Sequence, residues 1–233
     1  MRDNMPTGLV GAVQTGTPCA FGPKGQPSAI AKAPVRGPVA VTLLGLAGDV
    51  QGDPAHHGGP DKALHAYPRA HYGAWRTDLP DRALLLADGS FGENLVLDRL
   101  TEADVCIGDI FRLGTARVQI SQARQPCWKL NIRFETPDMA RRVQESGRTG
   151  WYFRVLVPGE VTAGDALLPE ARPNPGWSLP RVHALLYRDA LDAQALTRFA
   201  GLVGLSASWR DLALRRANSG AVESWHARLQ GTP

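Results

Sequence analysis

Short apolar stretches separated by turn-forming residues fill the first 170 positions of the chain. Compact apolar runs, and alternation of apolar with polar residues, are typical of β-strands. The strands predicted in this way cover residues 9–14, 40–46, 91–97, 109–113, 116–122, 151–157 and 166–168. Gly114 and Thr115 separate two of them, which predicts a β-hairpin. Residues 15–26 are rich in glycine and proline and are predicted to form a loop.

Two helices interrupt this strand pattern. Residues 68–78 carry Tyr72 and Trp75 at helical spacing, and Pro68 suits a first helical turn. Residues 136–147 begin with a threonine–proline pair that suits a helix start and end with a glycine that suits a helix exit. We expect both helices to be peripheral to a body built from strands.

The pattern changes after residue 170. Residues 171–180 are rich in proline and predict a linker. Helical spacing follows over residues 181–187, 192–201 and 206–217, with a further short helix near residues 222–229. We therefore predict a mainly β protein of the α+β class: a β-barrel body over residues 1–170, the linker, and a C-terminal three-helix domain over residues 181–233.

Composition limits the class of protein without identifying it. The 233 residues suffice for a full hydrophobic core. The net charge of +4 is mild and suits an anionic small ligand at least as well as a nucleic acid. No signal-peptide pattern and no segment of membrane-spanning length occurs, so we expect a cytoplasmic protein with no membrane partner.

Of the three cysteines, Cys127 has the setting that favours chemistry. It follows a proline and lies between the cations Arg124 and Lys129, which should lower the pKa of its thiol. A thiolate can bind a soft metal, take part in a redox step or attack an electrophile, and the sequence leaves these three open. Cys106 lies in an apolar run and is expected to be inert core. Cys19 lies in the predicted loop.

Four polar clusters accompany this cysteine, at residues 48–53, 56–63, 91–94 and 124–130. The first three combine glycines, which let a backbone approach a ligand, with charged or amide groups, and the fourth carries Arg124, Gln125 and Lys129 around the cysteine. Taken singly, each has an ordinary explanation: Asp49 and Asp109 suit turns, and Lys62 and His65 suit a helix surface. Together with the cysteine, they predict a site for an anionic, polar ligand.

Other classes of site fit less well. His56 and His57 are adjacent and point apart, so a closed zinc site is not predicted. A cysteine hydrolase stays open, since His56, His57 or His65 could act as its base, although no protease signature surrounds the cysteine. No CxxC, Walker loop or GxGxxG motif occurs. The tail lacks a clear recognition-helix pattern, so nucleic acid is not a predicted partner.

Six segments together resemble MOSC-domain proteins of the YiiM-like subfamily, which are related to the C-terminal domain of molybdenum cofactor sulfurase. The segments are GlyAspValGlnGlyAsp (48–53), HisHisGlyGlyProAspLysAla (56–63), HisAlaTyrPro (65–68), PheGlyGluAsnLeu (91–95), ArgGlnProCysTrpLysLeu (124–130) and GlyArgThrGlyTrpTyr (147–152). The helical tail is similar to the three-helix appendage of that subfamily. The resemblance implies a MOSC-type β-barrel and a family association with molybdenum cofactor binding, or with pyridoxal phosphate.

The resemblance implies that Cys127 is the protein's ligand to molybdenum in a molybdenum cofactor. The residues implied to hold or surround the cofactor are Asp49, Gly58, Gly59, Lys62, Asn94, Arg124, Gln125 and Lys129. The implied activity is reduction of N-hydroxylated compounds, such as hydroxylaminopurine-type bases, amidoximes or hydroxylamines. Asp53, His56 and His57 are the implied proton donors.

The resemblance also bears on partners. The chain lacks the ferredoxin-type cysteines that some relatives append, so electrons would come from a separate flavin or iron–sulfur reductase. A homodimer is a further expectation. The alternative function is a non-catalytic carrier of molybdenum cofactor or sulfur, in which Cys127 would hold the cargo.

Overall fold

A closed sheet forms the body of the protein in the computed structural model, which describes residues 5–53 and 58–231. Seven strands follow one another around the barrel in the order β1, β13, β9, β10, β11, β7, β8 and back to β1. All of these pairings are antiparallel except that of β7 with β8, which is parallel. The expected β-barrel is therefore confirmed.

The strands of the described residues have the following bounds: β1 Gly8–Thr15, β2 Cys19–Phe21, β3 Gln26–Ser28, β4 Ala33–Pro34, β5 Val39–Thr42, β6 Gly45–Leu46, β7 Leu64–Pro68, β8 Leu95–Asp98, β9 Ile110–Leu113, β10 Ala116–Ala123, β11 Trp151–Val157, β12 Gly159–Val161 and β13 Ala166–Ala171. The helices are α1 Ala70–Asp78, α2 Lys129–Arg133, α3 Met139–Ser146, α4 Leu179–Tyr187, α5 Ala193–Ala200, α6 Ala207–Ser219 and α7 His226–Gln230.

The local sequence signals were most accurate where a turn separates two regular elements. The predicted hairpin is β9 and β10, and the predicted strand over 151–157 is β11. Helix α3 ends at Gly147, whose φ of 71° is the left-handed conformation that glycine adopts without strain. The predicted helices over 68–78 and in the C-terminal tail are present, with bounds shifted by a few residues.

Three predictions over the first 100 residues were wrong in detail. The predicted loop over 15–26 contains most of a hairpin formed by β2 and β3. The predicted strand over 40–46 is two strands, because the chain reverses at Leu43 and Leu44, which are exposed. The predicted strand over 91–97 begins only at Leu95. Strand β7 was missed: it is short, all five of its residues are buried, and its last residue, Pro68, was interpreted as the start of the following helix.

The C-terminal helices pack directly on the barrel. Apolar side chains of α4, α5 and α6, such as Leu186, Phe199 and Trp209, belong to the same buried cluster as the barrel residues Phe111 and Phe153. A second buried cluster lies around α1 and α3, where Phe91 stacks on Tyr67 with ring centroids 4.3 Å apart. The division into barrel body, linker and three-helix domain stays a prediction. No helix of the described residues is long and apolar enough to span a membrane.

Gly150 offers a test of the strand packing next to β7. Its φ is +67°, and a Cβ atom there would lie 2.3 Å from the carbonyl oxygen of Ala66. We expect Gly150→Ala to lower the free energy of unfolding by about 3 kcal/mol, because backbone strain and overpacking add. Gly220→Ala is the matched control, since that glycine has a φ of +61° and open space around it. Urea unfolding that gives equal losses for both variants would contradict this explanation.

Candidate functional site

A pocket opens at the end of the barrel where β1 and β10 end and where β7, β8 and β11 begin. The strand pairing fixes this end, because Ala123 pairs with Trp151, Trp151 with Ala66, Ala66 with Leu95, and Leu95 with Val13. The segments that continue beyond this row of paired residues form the pocket wall. Segments that are far apart in the sequence therefore meet there.

The pocket encloses about 600 Å³, including the part open to solvent. Its polar wall combines one thiol with four cationic side chains and two carboxylates. The lining residues are Ser28, Ala29, Ile30, Lys32, Asp49, Gln51, Gly52, Asp53, Lys62, His65, Phe91, Gly92, Asn94, Arg124, Cys127, Lys129 and Tyr152. Seven residues that the sequence implicated are among them: Asp49, Asp53, Lys62, Asn94, Arg124, Cys127 and Lys129.

Asp49 holds one side of the pocket together. One carboxylate oxygen accepts hydrogen bonds from the backbone N–H of Gly16, at 2.8 Å, and from Lys32 Nζ. The other accepts a bond of 2.8 Å from Asn94 Nδ2. Only 1% of the Asp49 side chain is exposed. These bonds occupy both oxygens, so Asp49 positions the Lys32 ammonium group and the Asn94 amide.

Asn94 continues this network into β7. Its Oδ1 accepts a hydrogen bond of 3.0 Å from the backbone N–H of His65, and its Nδ2 donates to the carbonyl oxygen of Gln14 as well as to Asp49. Every polar atom of the Asn94 side chain is therefore engaged with protein. Asn94 joins the end of β1 to the start of β7 and orders the pocket wall.

Arg124 is the cation best placed to bind a ligand. Its side chain follows β10 and is 94% buried, yet its Nη1 atom has no hydrogen-bond partner among the described residues. Burying an unpaired guanidinium donor costs free energy, so this atom is suited to an anion in the pocket. Lys129 lies on the same side, where its Nζ donates to the carbonyl oxygen of Pro27 at 3.2 Å.

The rings of His65 and Tyr152 line the pocket near Arg124. Their ring centroids are 5.1 Å apart. Burial lowers the pKa of His65 well below its ordinary value, and the positive charge of Arg124 lowers it further. Desolvation raises the pKa of Tyr152, which Arg124 partly opposes. Both groups are therefore neutral near pH 7 and can donate or accept hydrogen bonds without adding charge.

Cys127 lies half-buried at the pocket wall, in the short segment between β10 and α2. Lys62 is close enough to sense its charge: desolvation lowers the pKa of Lys62, while Asp61, Cys127 and Asp53 act to raise it. The thiol thus faces a pocket that contains a lysine and a carboxylate, and its side chain is not sealed in the apolar core.

Several implicated residues lie elsewhere. Gly58 and Gly59 are not among the pocket-lining residues, and Gly59 instead precedes the single turn Pro60–Lys62. Gln125 is also outside the pocket wall, and its side chain approaches the hydroxyl group of Tyr187. His56 and His57 lie outside the described residues.

Sequence reasoning did not assign Lys32 or Tyr152 to the site, and it named His65 only as a candidate base of a cysteine hydrolase, yet all three line the pocket. Lys32 lies in the segment between β3 and β4, which carried no predicted element or cluster. His65 was interpreted as a surface residue on a helix start, whereas it belongs to the buried strand β7. A usable signal existed for His65 and Tyr152, because both belong to segments that carried the family resemblance.

Two other carboxylates have structural roles. Glu93 is fully buried and accepts hydrogen bonds from Tyr72 Oη and from the backbone N–H groups of Gly89 and Phe91, which shapes the turn before β8. Asp109 binds the Arg172 side chain and the backbone N–H of Cys106. The structural interpretation of Asp109 is therefore confirmed.

Replacing His65 tests its environment. The unfolded chain binds a proton at this residue below about pH 6.5, whereas the folded chain does not, so folding loses stability as the pH falls through this value. Between pH 7.5 and pH 5.5, we expect the free energy of unfolding of the wild type to fall by about 1 kcal/mol more than that of His65→Gln. Urea unfolding at both pH values measures this, with the exposed residue His226→Gln as the control. If the free energy of unfolding depends on pH equally in the wild type and in His65→Gln, then His65 is not held neutral by the fold.

Comparisons with known proteins give the following matches. Residues 53–168 match the MOSC domain, and residues 177–220 match the YiiM-like, 3-alpha helix domain. Protein YiiM of Escherichia coli (strain K12) is 42% identical over 219 residues, which cover 94% of this chain and 97% of that protein. The crystal structure of YiiM from Escherichia coli superimposes with a TM-score of 0.79 and covers 94% of this chain and 99% of that one, at 36% identity.

A third relative is longer. A protein of Gibberella moniliformis (strain M3125 / FGSC 7600) named "Reductase" is 39% identical over 160 residues. The match covers 68% of this chain but 28% of that protein. The name therefore describes a protein of which the matching region is one part.

Proposed function

Because the chain belongs to the MOSC family and carries a YiiM-like three-helix domain, we propose that it is a molybdenum-cofactor-dependent reductase of N-hydroxylated compounds. The observation that carries the proposal is one pocket that contains the Cys127 thiol and buried cations, one of which, Arg124, has a donor with no partner in residues 5–53 and 58–231. The relative named "Reductase" supports an oxidoreductase function.

The donor set suits this cofactor. Molybdenum in the cofactor is a soft centre that binds a thiolate, and a pterin phosphate is an anion. Among the described residues, no three His, Cys, Asp or Glu side chains are grouped so that they could hold a metal ion. Within the described residues, Cys127 is the sulfur that lines the pocket, which suits a metal whose other ligands belong to a cofactor. Arg124 Nη1 supplies a buried donor for the phosphate.

The residues of the pocket would have the following roles. Cys127 supplies the sulfur ligand, and Arg124, Lys129 and Lys62 bind the anionic part of the cofactor. Asp49 acts indirectly, because it fixes Lys32 and Asn94. His65 and Tyr152 close the corner of the pocket and exclude water.

The cofactor supplies the two-electron redox chemistry when it is bound. Reduction of an N-hydroxylated compound breaks the N–O bond, consumes two electrons and two protons, and releases water and the amine. Asp53 lines the pocket and is the described residue that we propose to deliver a proton to the leaving oxygen. The electrons would come from a separate flavin or iron–sulfur reductase.

Cys127→Ser tests the assignment of the metal ligand, which the reductase and the carrier share. We expect protein made in a molybdate-supplied host to contain about one molybdenum per chain, and the variant to lose most of it, because a hydroxyl is a poor ligand for a soft metal. Elemental analysis measures this. Cys19→Ser is the control, since Cys19 is exposed and not among the pocket-lining residues.

Turnover decides between an enzyme and a carrier. With an electron-donating reductase and a hydroxylaminopurine, a reductase forms many amine molecules per chain, whereas a carrier of cofactor or sulfur forms none. Normal molybdenum content in Cys127→Ser would refute the ligand assignment. Full molybdenum content without turnover on any N-hydroxylated compound would favour the carrier.

Arg124→Gln tests the anion-binding role. Losing a charged hydrogen bond to phosphate costs about 1.5–3 kcal/mol, so we expect cofactor affinity to fall about tenfold or more. Pterin fluorescence retained after extensive dialysis measures this. Arg117→Gln is the matched control, because Arg117 lies on β10 and forms an exposed ion pair with Glu170. Equal retention in the two variants would show that Arg124 does not hold the cofactor.

A further inference from the structure

We propose that helix α7, through Arg228, positions Cys127. The carbonyl oxygen of Pro126, directly before the cysteine, accepts a hydrogen bond of 2.6 Å from Arg228 Nη1. The backbone N–H of Trp128, directly after the cysteine, donates a bond of 2.8 Å to the carbonyl oxygen of Arg228. One residue of the C-terminal helix thus holds the cysteine on both sides. The inference deepens the proposed function and rests on it only where turnover is concerned.

The cysteine segment needs such an anchor. It runs from the end of β10 at Ala123 to the start of α2 at Lys129, and Cys127 takes part in no strand pairing among the residues that the structure describes. The carbonyl oxygen of Cys127 accepts a hydrogen bond of 3.0 Å from the backbone N–H of Leu130, which is a local bond. A local bond shapes the turn but does not fix where the turn lies relative to the pocket.

Arg228 also ties this segment to α3. Its Nη2 atom donates to Gln144 Oε1 at 2.6 Å, while Nη1 holds Pro126. A planar guanidinium can satisfy two acceptors on different segments in fixed geometry, whereas a lysine ammonium on its flexible stem does not keep both in place. The identity of the side chain, and not only its charge, therefore matters.

A second set of bonds in the same place strengthens the anchor. Asn131 Nδ2, in α2, donates to the carbonyl oxygen of Leu229 in α7 at 2.8 Å. The Oδ1 atom of Asn131 accepts from the backbone N–H of Ala140 in α3, also at 2.8 Å. Helix α7 is thereby bonded to the residues on either side of the cysteine and to α2, which follows the segment. Its displacement would release the sulfur from the pocket wall.

Alkylation of the cofactor-free protein tests the anchor directly. In a Cys19→Ser background Cys127 is the accessible thiol, since only 2% of Cys106 is exposed. We expect Arg228→Ala to change the alkylation rate of Cys127 by iodoacetamide severalfold, and Arg228→Lys to have a smaller effect. Mass spectrometry of the modified peptide measures the rate at Cys127 alone.

Arg210→Ala is the matched control for loss of an arginine from the tail. Arg210 binds the carbonyl oxygens of Ala200 and Leu202, so its removal costs comparable bonds within the helical region and none to the cysteine segment. The melting temperatures of both variants are compared to show that each is folded. Equal alkylation rates in Arg228→Ala and Arg210→Ala would overturn the proposal.

The loaded enzyme provides a second measurement. A misplaced sulfur affects the reacting centre more than substrate binding, so we expect kcat per bound molybdenum to fall about tenfold in Arg228→Ala with KM within twofold of the wild type. Restoration by Arg228→Lys should be partial. An unchanged kcat per bound molybdenum would refute the positioning role while leaving the proposed function intact. Altered alkylation in a protein without turnover would support the anchor and reject the reductase.

Discussion

Closure of the barrel by β1 and β13 is the constraint on which the rest of the structure depends. In this contact Gly8 pairs with Leu167 and Leu9 with Ala166, and the backbone of Val10 is bonded to Gly164 and Asp165 just before β13. Closing the sheet aligns the strand ends, because the stagger of each strand is fixed relative to its two neighbours. The parallel pairing of β7 with β8 then makes both of these strands begin at the pocket end. The pocket segments meet because the sheet is closed in this register.

The carboxylates of the pocket neutralise its buried positive charge only in part. Asp49 pairs with Lys32, yet burial still lowers the pKa of Lys32 below its ordinary value. The guanidinium of Arg124 is buried in the same pocket, and its Nη1 atom has no hydrogen-bond partner in the part of the chain that the structure describes. Buried charges persist in folded proteins when something pairs with them. The fold thus maintains a positive pocket next to a thiol, which an anionic ligand with a soft metal would complement.

The C-terminal helices contribute to this pocket from outside the barrel. The first residue of helix α6, Ala207, is bonded to Asp61 in the turn before β7. Its backbone N–H donates to Asp61 Oδ2 at 3.1 Å. Asp61 directly precedes Lys62, and it also binds Arg154 of β11. Helix α7 contacts the cysteine segment on another side. The helical region therefore supports two walls of the pocket, which its spread of charges along the sequence did not indicate.

Local features could be predicted from the residues alone: the hairpin of β9 and β10, the strand β11, the helix end at Gly147, and the placement of Cys127 between two cations five residues apart. These depend on neighbours in the chain and on turn chemistry, which residue types report directly. The folded chain was needed to see that Asp49 is bonded through both oxygens, that Lys32 and His65 line the pocket, and that Arg228 is bonded to Pro126, 102 residues away. Such contacts depend on strand register and barrel closure, and no local pattern encodes the distance between groups that are far apart in the chain.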